Sequence, residues 1–344
     1  MFGNTYKGKK VIITGHTGFK GSWLSTWLIS LGADVVGISK DIPTSPSMFN
    51  ELGIEEKLTH YTADICNLGL IKKIIDKEQP DFLFHLAAQA LVSVSYDNPT
   101  ETILTNVVGT MNVLEGMRNI KKKCQIILIT SDKCYDNVEW LWGYRESDNL
   151  GGRDIYSGSK GAAELIIKSY ISSFFKNKES NSSIGICRAG NVIGGGDWAK
   201  DRIVVDCMRS WSKGDSVEVR SPDATRPWQH VLEPLSGYLA LGMALSKGNN
   251  LHGEAFNFGP RSMKNYKVSE LLMDLSKYWE FKNKREVFTV VDRIPFHEAG
   301  LLKLNCDKAL FHLNWEANLG YEDTIKFTSE WYYKYYRKNV NMYD

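Results

Sequence analysis

Short apolar segments alternate with stretches of helical periodicity through the first half of the chain. Residues 11–14 are a β-branched run that stops at a glycine, residues 21–31 have the period of a helix, and residues 34–39 predict a second strand. The pattern then repeats, with helices expected at 71–78, 100–117 and 158–175 and strands expected at 81–86, 125–130 and 184–188. This alternation with short connections predicts an α/β fold built on a doubly wound parallel sheet.

The second half of the chain has a different texture, in which glycines, tryptophans and mixed charges replace the alternating pattern beyond Gly194. A length of 344 residues exceeds one ordinary core and suggests either one large domain or two merged lobes. We predict a cofactor-binding domain over residues 1–190 that includes the reacting side chains. A smaller C-terminal substrate-binding lobe is expected over residues 191–344, interleaved with the first domain.

Charge and cysteine usage narrow the class of protein. The chain has 42 Lys and Arg against 40 Asp and Glu, which gives no broad basic field for nucleic acid or a membrane surface. Its six cysteines are widely spaced and form no CxxC pair, so neither a disulfide framework nor a zinc site is expected. No apolar run reaches membrane-spanning length and no signal-peptide core follows Met1. Together with the cysteine usage, this leads us to expect a cytoplasmic protein that binds no metal.

A glycine-rich turn of sequence GHTGFKG directly follows the first strand and opens the first helix. Gly15 permits the tight turn, Gly18 lets the backbone approach a pyrophosphate, and Gly21 allows close packing of helix and strand. The free N–H groups of the helix N-terminus then face the anion. This arrangement predicts a Rossmann-type dinucleotide site, against the plainer alternative of an ordinary turn.

The second strand does not decide between NAD and NADP. A Rossmann site normally has an acidic residue about 20 residues after the turn, where it binds the adenosine ribose. Asp41 is one candidate, but Ser39 occupies the more usual place, and Lys40 suits a 2′-phosphate. Asp64 and its neighbour Ile65 are candidates for the adenine contact, with a helix N-cap as the equal alternative for Asp64.

A tyrosine and a lysine four residues apart, Tyr156 and Lys160, fall on one face of a predicted helix. The lysine charge is expected to lower the pKa of the phenol, so that the phenolate can take a hydroxyl proton while a hydride leaves the carbon. Ser131 lies 25 residues before the tyrosine and offers a hydroxyl to hold the reacting oxygen. The pair alone is common, and a surface helix pair is the alternative; the three residues in order are far more specific.

The order of these motifs resembles that of the extended short-chain dehydrogenase/reductases over nearly the whole chain. The resemblance is carried by the glycine turn, the string HLAAQ at 85–89, Asn106, Ser131 and the Tyr156/Lys160 pair. Longer strings resemble the CDP-glucose 4,6-dehydratases of this family, namely GHTGFKG at 15–21, SDKCYDN at 131–137, WGYRE at 142–146, GNVIGGGDW at 190–198 and RPWQHV at 226–231.

The resemblance implies a nucleotide-sugar 4,6-dehydratase that keeps NAD bound, converting CDP-glucose to CDP-4-keto-6-deoxy-glucose for deoxysugar and lipopolysaccharide synthesis. Such enzymes oxidise C4, eliminate water across C5 and C6, and return the hydride to C6. By this resemblance Tyr156 is the base at the 4-hydroxyl and Asp132 is the acid. Lys133 stands where many relatives have a glutamate base, so its assignment to the C5 proton rests on position. A simple ion pair with Asp132 is the alternative.

The implied site residues form three groups. The catalytic group is Ser131, Asp132, Lys133, Tyr156 and Lys160. The cofactor-binding group is Gly15, Thr17, Gly18, Phe19, Gly21, Asp64, Ile65, Leu86, Ala87, Ala88, Gln89 and Asn106, together with Tyr156 and Lys160. The substrate-binding group is Asn191, Trp198, Arg202, Arg226, His230, His297 and Glu298. For each of these last seven except Asn191 and Arg226, a structural role is an equal alternative.

Three positions depart from the pattern of the family. Ile155 and Ala90 replace prolines, and Ser93 stands where similar enzymes carry an arginine. These changes remove no reacting group, so they bear on the preferred nucleotide and sugar rather than on hydride chemistry.

The sequence leaves two rival functions to weigh and also predicts an oligomeric state. An epimerase or a dehydratase for another nucleotide sugar is the first rival, and the Asp132-Lys133 pair favours dehydration over it. An inactive cofactor-binding regulator is the second, and the retained Tyr156 and Lys160 argue against it. The helices expected over 100–117 and 157–175 have apolar faces on both sides, so we expect a homodimer, unless those faces pack only within the subunit.

Overall fold

The strands of this computed structural model, which describes residues 2–176, 180–260, 266–280, 287–291, 301–338 and 340–343, are short and follow one another closely. They are β1 (Lys10–Thr14), β2 (Asp34–Ser39), β3 (Thr59–Thr62), β4 (Phe82–His85), β5 (Cys124–Ile129), β6 (Ser182–Ala189), β7 (Val192–Ile193), β8 (Val217–Val219), β9 (Thr225–Arg226), β10 (Gln229–His230), β11 (Ala255–Phe258), β12 (Tyr266–Lys267) and β13 (Phe288–Val290).

Helices connect most of these strands. They are α1 (Phe19–Ser30), α2 (Met48–Glu51), α3 (Leu68–Glu78), α4 (Val92–Asp97), α5 (Pro99–Ile103), α6 (Thr110–Met117), α7 (Ile155–Tyr170), α8 (Ile203–Lys213), α9 (Leu232–Ser246), α10 (Val268–Ser276), α11 (Asp307–Leu313) and α12 (Tyr321–Lys338). None of the helices in the described part of the chain combines the length and the apolar composition that crossing a bilayer requires.

A seven-stranded sheet of order β11-β6-β5-β4-β1-β2-β3 forms the centre of the molecule, and every neighbouring pair in it is parallel. The strands consist largely of β-branched and aromatic residues buried on both faces, as parallel sheets require. The predicted α/β fold is therefore confirmed. The edge strand β11 comes from the second half of the chain, so the two halves share this sheet; the division at residue 190 stays a prediction.

Three large apolar clusters pack on or beside this sheet, and a fourth, small cluster surrounds Tyr135 and Tyr144. One lies between the sheet and helices α1 and α9, and a second lies on the opposite face against α3, α6 and α7. The third is separate and brings α8, α10 and α12 together around the buried Trp198 and Trp211. The sheet edge where β1, β4, β5 and β6 end faces this third cluster across a cavity.

The helix predicted over residues 100–117 contains a π-turn, Leu104–Gly109, between α5 and α6. The helix predicted over 158–175 likewise begins earlier, as α7, and ends in a second π-turn, Ile171–Phe175. Asp154 caps α7, because its side chain accepts a hydrogen bond from Ser157 N at 2.9 Å. This cap fixes the first turn of the helix, which carries Tyr156.

The closest backbone approach in the glycine turn lies at Gly21, where a Cβ atom would stand 2.0 Å from Gly15 O. We expect Gly21→Ala to lower the free energy of unfolding by about 1–3 kcal/mol, because backbone must move to admit the methyl group. The matched control is Gly69→Ala in α3, whose Cβ would meet nothing nearer than 3.7 Å. That change is expected to stabilise the helix by about 0.5–1 kcal/mol. Urea unfolding of both variants measures these two changes. Equal changes in the free energy of unfolding for Gly21→Ala and Gly69→Ala would contradict the prediction.

Candidate active site

A cavity of about 1290 Å³ opens along the carboxyl edge of the sheet. Its walls include the segments that follow β1, β4, β5 and β6, the first turns of α7 and α8, and residues next to β8 and β9. Ligand sites in parallel α/β sheets lie at this edge, because the strand ends leave a crevice there. The predicted site residues that line this cavity are Gly15, Thr17, Gly18, Phe19, Gly21, Asp64, Ile65, Leu86, Ala87, Ala88, Gln89, Ser131, Asp132, Lys133, Tyr156, Lys160, Asn191, Trp198, Arg202 and Arg226.

The backbone of the glycine turn has no room for a side chain at Gly15. Gly15 has a φ of +77°, and a Cβ there would lie 2.7 Å from Ala87 N. Gly18 takes the N-cap position of α1 without a side-chain hydrogen bond to the first turn. The helix N-terminus therefore presents backbone N–H groups to the cavity beside bare glycines. This cradle fits a dinucleotide pyrophosphate.

The end of β2 bears on the choice of cofactor. Lys40 Nζ donates a hydrogen bond to Glu101 Oε1 at 2.9 Å, so its charge is already paired. Ser39 Oγ lies 2.9 Å from His16 Nδ1, inside the wall of the turn. Asp64 lines the cavity and accepts a hydrogen bond from Cys66 N at 2.8 Å, whereas the cap of α3 is Asn67. The N-cap alternative for Asp64 is thus not seen.

Asn106 does not itself line the cavity, so its predicted cofactor contact stays a prediction. It is buried in the π-turn, where its side chain accepts from Gln89 N at 2.8 Å and donates to Gln89 O at 3.0 Å. It also donates to Ser159 Oγ on α7 at 2.8 Å. Asn106 therefore supports the loop after β4 and fixes it to the helix that carries Tyr156.

Ser131, Asp132 and Lys133 form a tight turn directly after β5. Ser131 Oγ accepts from Lys133 N at 3.2 Å and donates to Asp132 Oδ1 at 2.9 Å. Burial raises the pKa of Asp132, while the charges of Lys133 and Lys20 act in the opposite direction. A carboxyl group raised in this way holds its proton more readily than an exposed one, as a general acid must.

Tyr156 and Lys160 lie together at the start of α7, with Lys160 Nζ 5.9 Å from the centre of the tyrosine ring. Burial raises the pKa of Tyr156 to about 12, opposed by its hydrogen bond with Ser131 and by the charge of Arg202. The expectation that Lys160 lowers the tyrosine pKa overall is therefore wrong for the free protein, because desolvation of the phenolate outweighs nearby charge. Burial also lowers the pKa of Lys160 to about 8.

The residues predicted to bind substrate separate into two groups. Asn191, Trp198, Arg202 and Arg226 line the cavity, and Arg202 forms a short ion pair with Asp197. Trp198 is almost fully buried and packs on the aromatic rings of α12, so it contributes a wall rather than an exposed stacking surface.

The predicted contact of His230 with substrate is not supported. His230 lies outside the cavity lining, its ring packs between Trp23 and Phe327, and burial lowers its pKa to about 4. It is a neutral interior histidine whose position follows from the pairing of β10 with β7. His297 and Glu298 lie outside the described residues.

Among the charged cavity residues that were not predicted from the sequence, Lys20 and Asp206 have pKa values that burial shifts strongly. Lys20 lies within the glycine turn, and burial lowers its pKa to about 8. Asp206 on α8 also lines the cavity, and burial raises its pKa to about 6. A lysine between two glycines of the turn was a visible signal for the first, whereas the position of Asp206 needs the fold. Across the described ranges, no cluster of side chains suited to a metal ion occurs.

The sheet, the glycine turn and the Tyr156/Lys160 pair define the extended short-chain dehydrogenase/reductase class. A family model described as GDP-mannose 4,6 dehydratase matches residues 12–328. The chain is 43% identical to the CDP-glucose 4,6-dehydratase of Salmonella typhimurium over 332 residues, which cover 96% of this chain and 92% of that protein. The chain therefore belongs to the GDP-mannose 4,6-dehydratase family.

The chain is also similar to more distant proteins. A CDP-paratose 2-epimerase of Salmonella typhi is 26% identical and covers 94% of this chain and 98% of its own length. The crystal structure of dTDP-glucose 4,6-dehydratase from Bacillus anthracis in complex with NAD superimposes with a TM-score of 0.77, at 19% identity, over 95% of this chain and 97% of the other. At that identity the likeness supports the fold alone.

The depressed pKa of Lys160 makes a prediction about stability. Its pKa is about 8 in the folded protein and 10.5 as the reference for an unfolded chain, so between these values the unfolded chain binds the extra proton. Stability from this group therefore rises with pH across that window. Relative to Lys160→Met, the wild type should gain roughly 3 kcal/mol of unfolding free energy from pH 8 to 10.5. Urea titrations at each pH measure this, with the exposed Lys168→Met as control; a constant difference contradicts the assignment.

Proposed function

We propose that the protein is an NAD-dependent nucleotide-sugar 4,6-dehydratase that converts CDP-glucose to CDP-4-keto-6-deoxy-glucose. The observation that carries the proposal is the meeting of two reactive pairs in one cavity, Tyr156 with Lys160 and Asp132 with Lys133. The first pair suits hydride chemistry at C4 and the second suits elimination across C5 and C6. The 43% identity to a CDP-glucose 4,6-dehydratase supports the choice of nucleotide.

The cavity fits NAD at its glycine turn. The bare Gly15 and Gly18 suit the pyrophosphate. Asp64 and Ile65 line the same end and suit the adenine. When bound, NAD would supply the hydride acceptor for the oxidation of C4 and the hydride donor for the reduction of C6.

The side chains of the chain move the protons of this reaction. Tyr156 takes the proton of the sugar 4-hydroxyl, helped by Ser131 and Arg202, which both favour its phenolate. The resulting C4 ketone acidifies the C5 proton, which Lys133 Nζ removes. Asp132 then gives its proton to the C6 hydroxyl, which leaves as water, and Lys133 returns its proton to C5 when C6 is reduced. The raised pKa of Asp132 supports this acid role.

Cationic side chains in the same cavity suit the diphosphate of the substrate. Arg202 and Arg226 line it, and their planar guanidinium groups match phosphate oxygens. The short ion pair with Asp197 fixes the orientation of Arg202. Asn191 lies on the loop after β6 and suits the sugar–phosphate. His297 and Glu298 remain candidates by resemblance alone.

We also propose a homodimer in the cytoplasm. Ile103, Leu104, Leu165 and Phe174 are exposed on α5, α7 and their π-turns, so these helices keep apolar surface that does not pack within the subunit. All six cysteines are free, which suits a reducing compartment. A link to lipopolysaccharide sugars rests on the resemblance alone.

Incubation with a panel of CDP-, dTDP- and GDP-sugars tests the reaction and the nucleotide. We expect CDP-glucose to give a 4-keto-6-deoxy sugar, detected by its strong absorbance in base, and the other nucleotides to react far more slowly. An epimerised hexose without this absorbance identifies the rival epimerase, for which the similarity to a CDP-paratose 2-epimerase is the supporting observation. Binding of NAD without any product identifies the inactive regulator.

Replacement of Lys133 tests its role as the C5 base. In Lys133→Ala we expect C4 oxidation to proceed, elimination to slow by about 100-fold or more, and enzyme-bound NADH to accumulate. Stopped-flow absorbance of the reduced nicotinamide and the exchange of the C5 hydrogen with solvent deuterium measure these two steps. The surface variant Lys213→Ala is the control. Elimination at a near-normal rate in Lys133→Ala would refute the role and favour the alternative in which the Lys133 charge only acts on Asp132.

A further inference from the structure

We propose that the buried Glu164–Arg188 pair and Tyr135 form a positioning unit that holds the hydride-transfer residues and the elimination residues in register. The inference rests on the proposed dehydratase reaction and assigns roles to three residues that do not take part in its chemistry. The hydride pair lies on α7, whereas Asp132 and Lys133 lie on the turn after β5. A reaction in two stages on one bound sugar needs both elements fixed relative to each other.

The helix end of this unit is Glu164, one turn after Lys160 on α7. Its carboxylate accepts hydrogen bonds from Arg188 Nε at 2.7 Å and Nη2 at 2.6 Å, and from Thr130 Oγ1 at 2.7 Å. The side chains of Glu164 and Arg188 are both fully buried. Two parallel N–H···O bonds fix the angle as well as the distance between β6 and the helix.

The turn end of the unit is Tyr135, two residues after Lys133. Arg188 Nη1 donates to Tyr135 OH at 2.8 Å, and this hydroxyl donates onward to Asn257 Oδ1 at 2.7 Å. The guanidinium carbon also lies 4.8 Å from the centre of the tyrosine ring. Arg188 therefore contacts the catalytic helix with one edge of its fork and the catalytic turn with the other.

Asn257 extends the unit toward the second half of the chain. Its side chain donates to Tyr144 O at 2.8 Å and to Asn305 O at 3.0 Å, and Glu146 Oε1 accepts from its backbone N at 2.7 Å. Arg188 Nη1 donates to Glu146 O at 3.1 Å as well. These bonds satisfy the polar groups of a network that is costly to bury otherwise.

Two arguments favour a positioning role for this unit over a role in stability alone. A buried ion pair adds little net stability compared with apolar packing, so stability alone is a weak reason for a charge at Arg188. The unit also bonds on both sides of the reacting residues, with Thr130 directly before Ser131 and Tyr135 directly after Cys134. Loss of one bond at the turn should therefore slow elimination more than hydride transfer.

Tyr135→Phe tests the inference, since it removes one hydroxyl and leaves the charges paired. Tyr6→Phe is the matched control, because Tyr6 is equally buried and donates one hydrogen bond at 2.6 Å to Leu239 O, away from the cavity. With CDP-glucose, Tyr135→Phe should lower kcat by about 10-fold with KM within about 2-fold, and should raise the steady-state fraction of enzyme-bound NADH. Tyr6→Phe should leave kcat, KM and the fraction of enzyme-bound NADH unchanged.

The inference is overturned if both variants lose similar stability and Tyr135→Phe keeps wild-type partial rates. Thr130→Val supplies a second reading in case Tyr135→Phe does not fold; it should slow the single-turnover formation of NADH, because it loosens Glu164 on α7. Unchanged NADH formation in that variant also counts against the unit. If the wild type itself forms no 4-keto-6-deoxy product, the proposed function fails, and that result is distinct from equal behaviour of the variants.

Discussion

The parallel sheet imposes the constraint on which the rest of the structure depends. Because β1, β4, β5 and β6 run in the same direction, their carboxyl ends deliver four chain segments to a single edge. The glycine turn, the loop with Gln89, the turn of Asp132 and the loop with Asn191 therefore line one cavity. The helices α7 and α8 complete it, and the separate apolar cluster around Trp198 and Trp211 closes its far side.

Burial at this edge determines the charges of the reacting groups. It raises the pKa values of Tyr156 and Asp132 and lowers those of Lys160 and Lys20, each toward the neutral form. The protein offsets part of this cost with hydrogen bonds and opposite charges. In the proposed reaction the same environment favours the protonated form of Asp132 beside a tyrosine that must become an anion. The chemistry therefore depends on geometry held within fractions of an ångström, for which the packing around Arg188 is suited.

Much of this architecture could be predicted from local sequence, because strand and helix periods and the glycine turn are written within a few residues. Strand β11 was not anticipated, since its four residues lie in the half where no alternating pattern is visible. The sign of the tyrosine pKa shift was wrong because spacing shows the lysine but not the burial. His230 was assigned to the substrate although it supports a wall of the cavity. Arg188 and Glu164 are 24 residues apart, and only the fold brings them together.

The central claim is that the hydrogen leaving C4 returns as a hydride to C6 of the same sugar molecule, while Tyr156 controls the oxygen at C4. The most direct measurement uses CDP-glucose deuterated at C4, mixed with unlabelled CDP-glucose that carries a distinct carbon label. Mass spectrometry and NMR of the product then locate the deuterium. The account predicts deuterium at C6 of the molecules that began with it, without crossover to the carbon-labelled pool. Deuterium retained at C4, lost to solvent or shared between the two pools would contradict it.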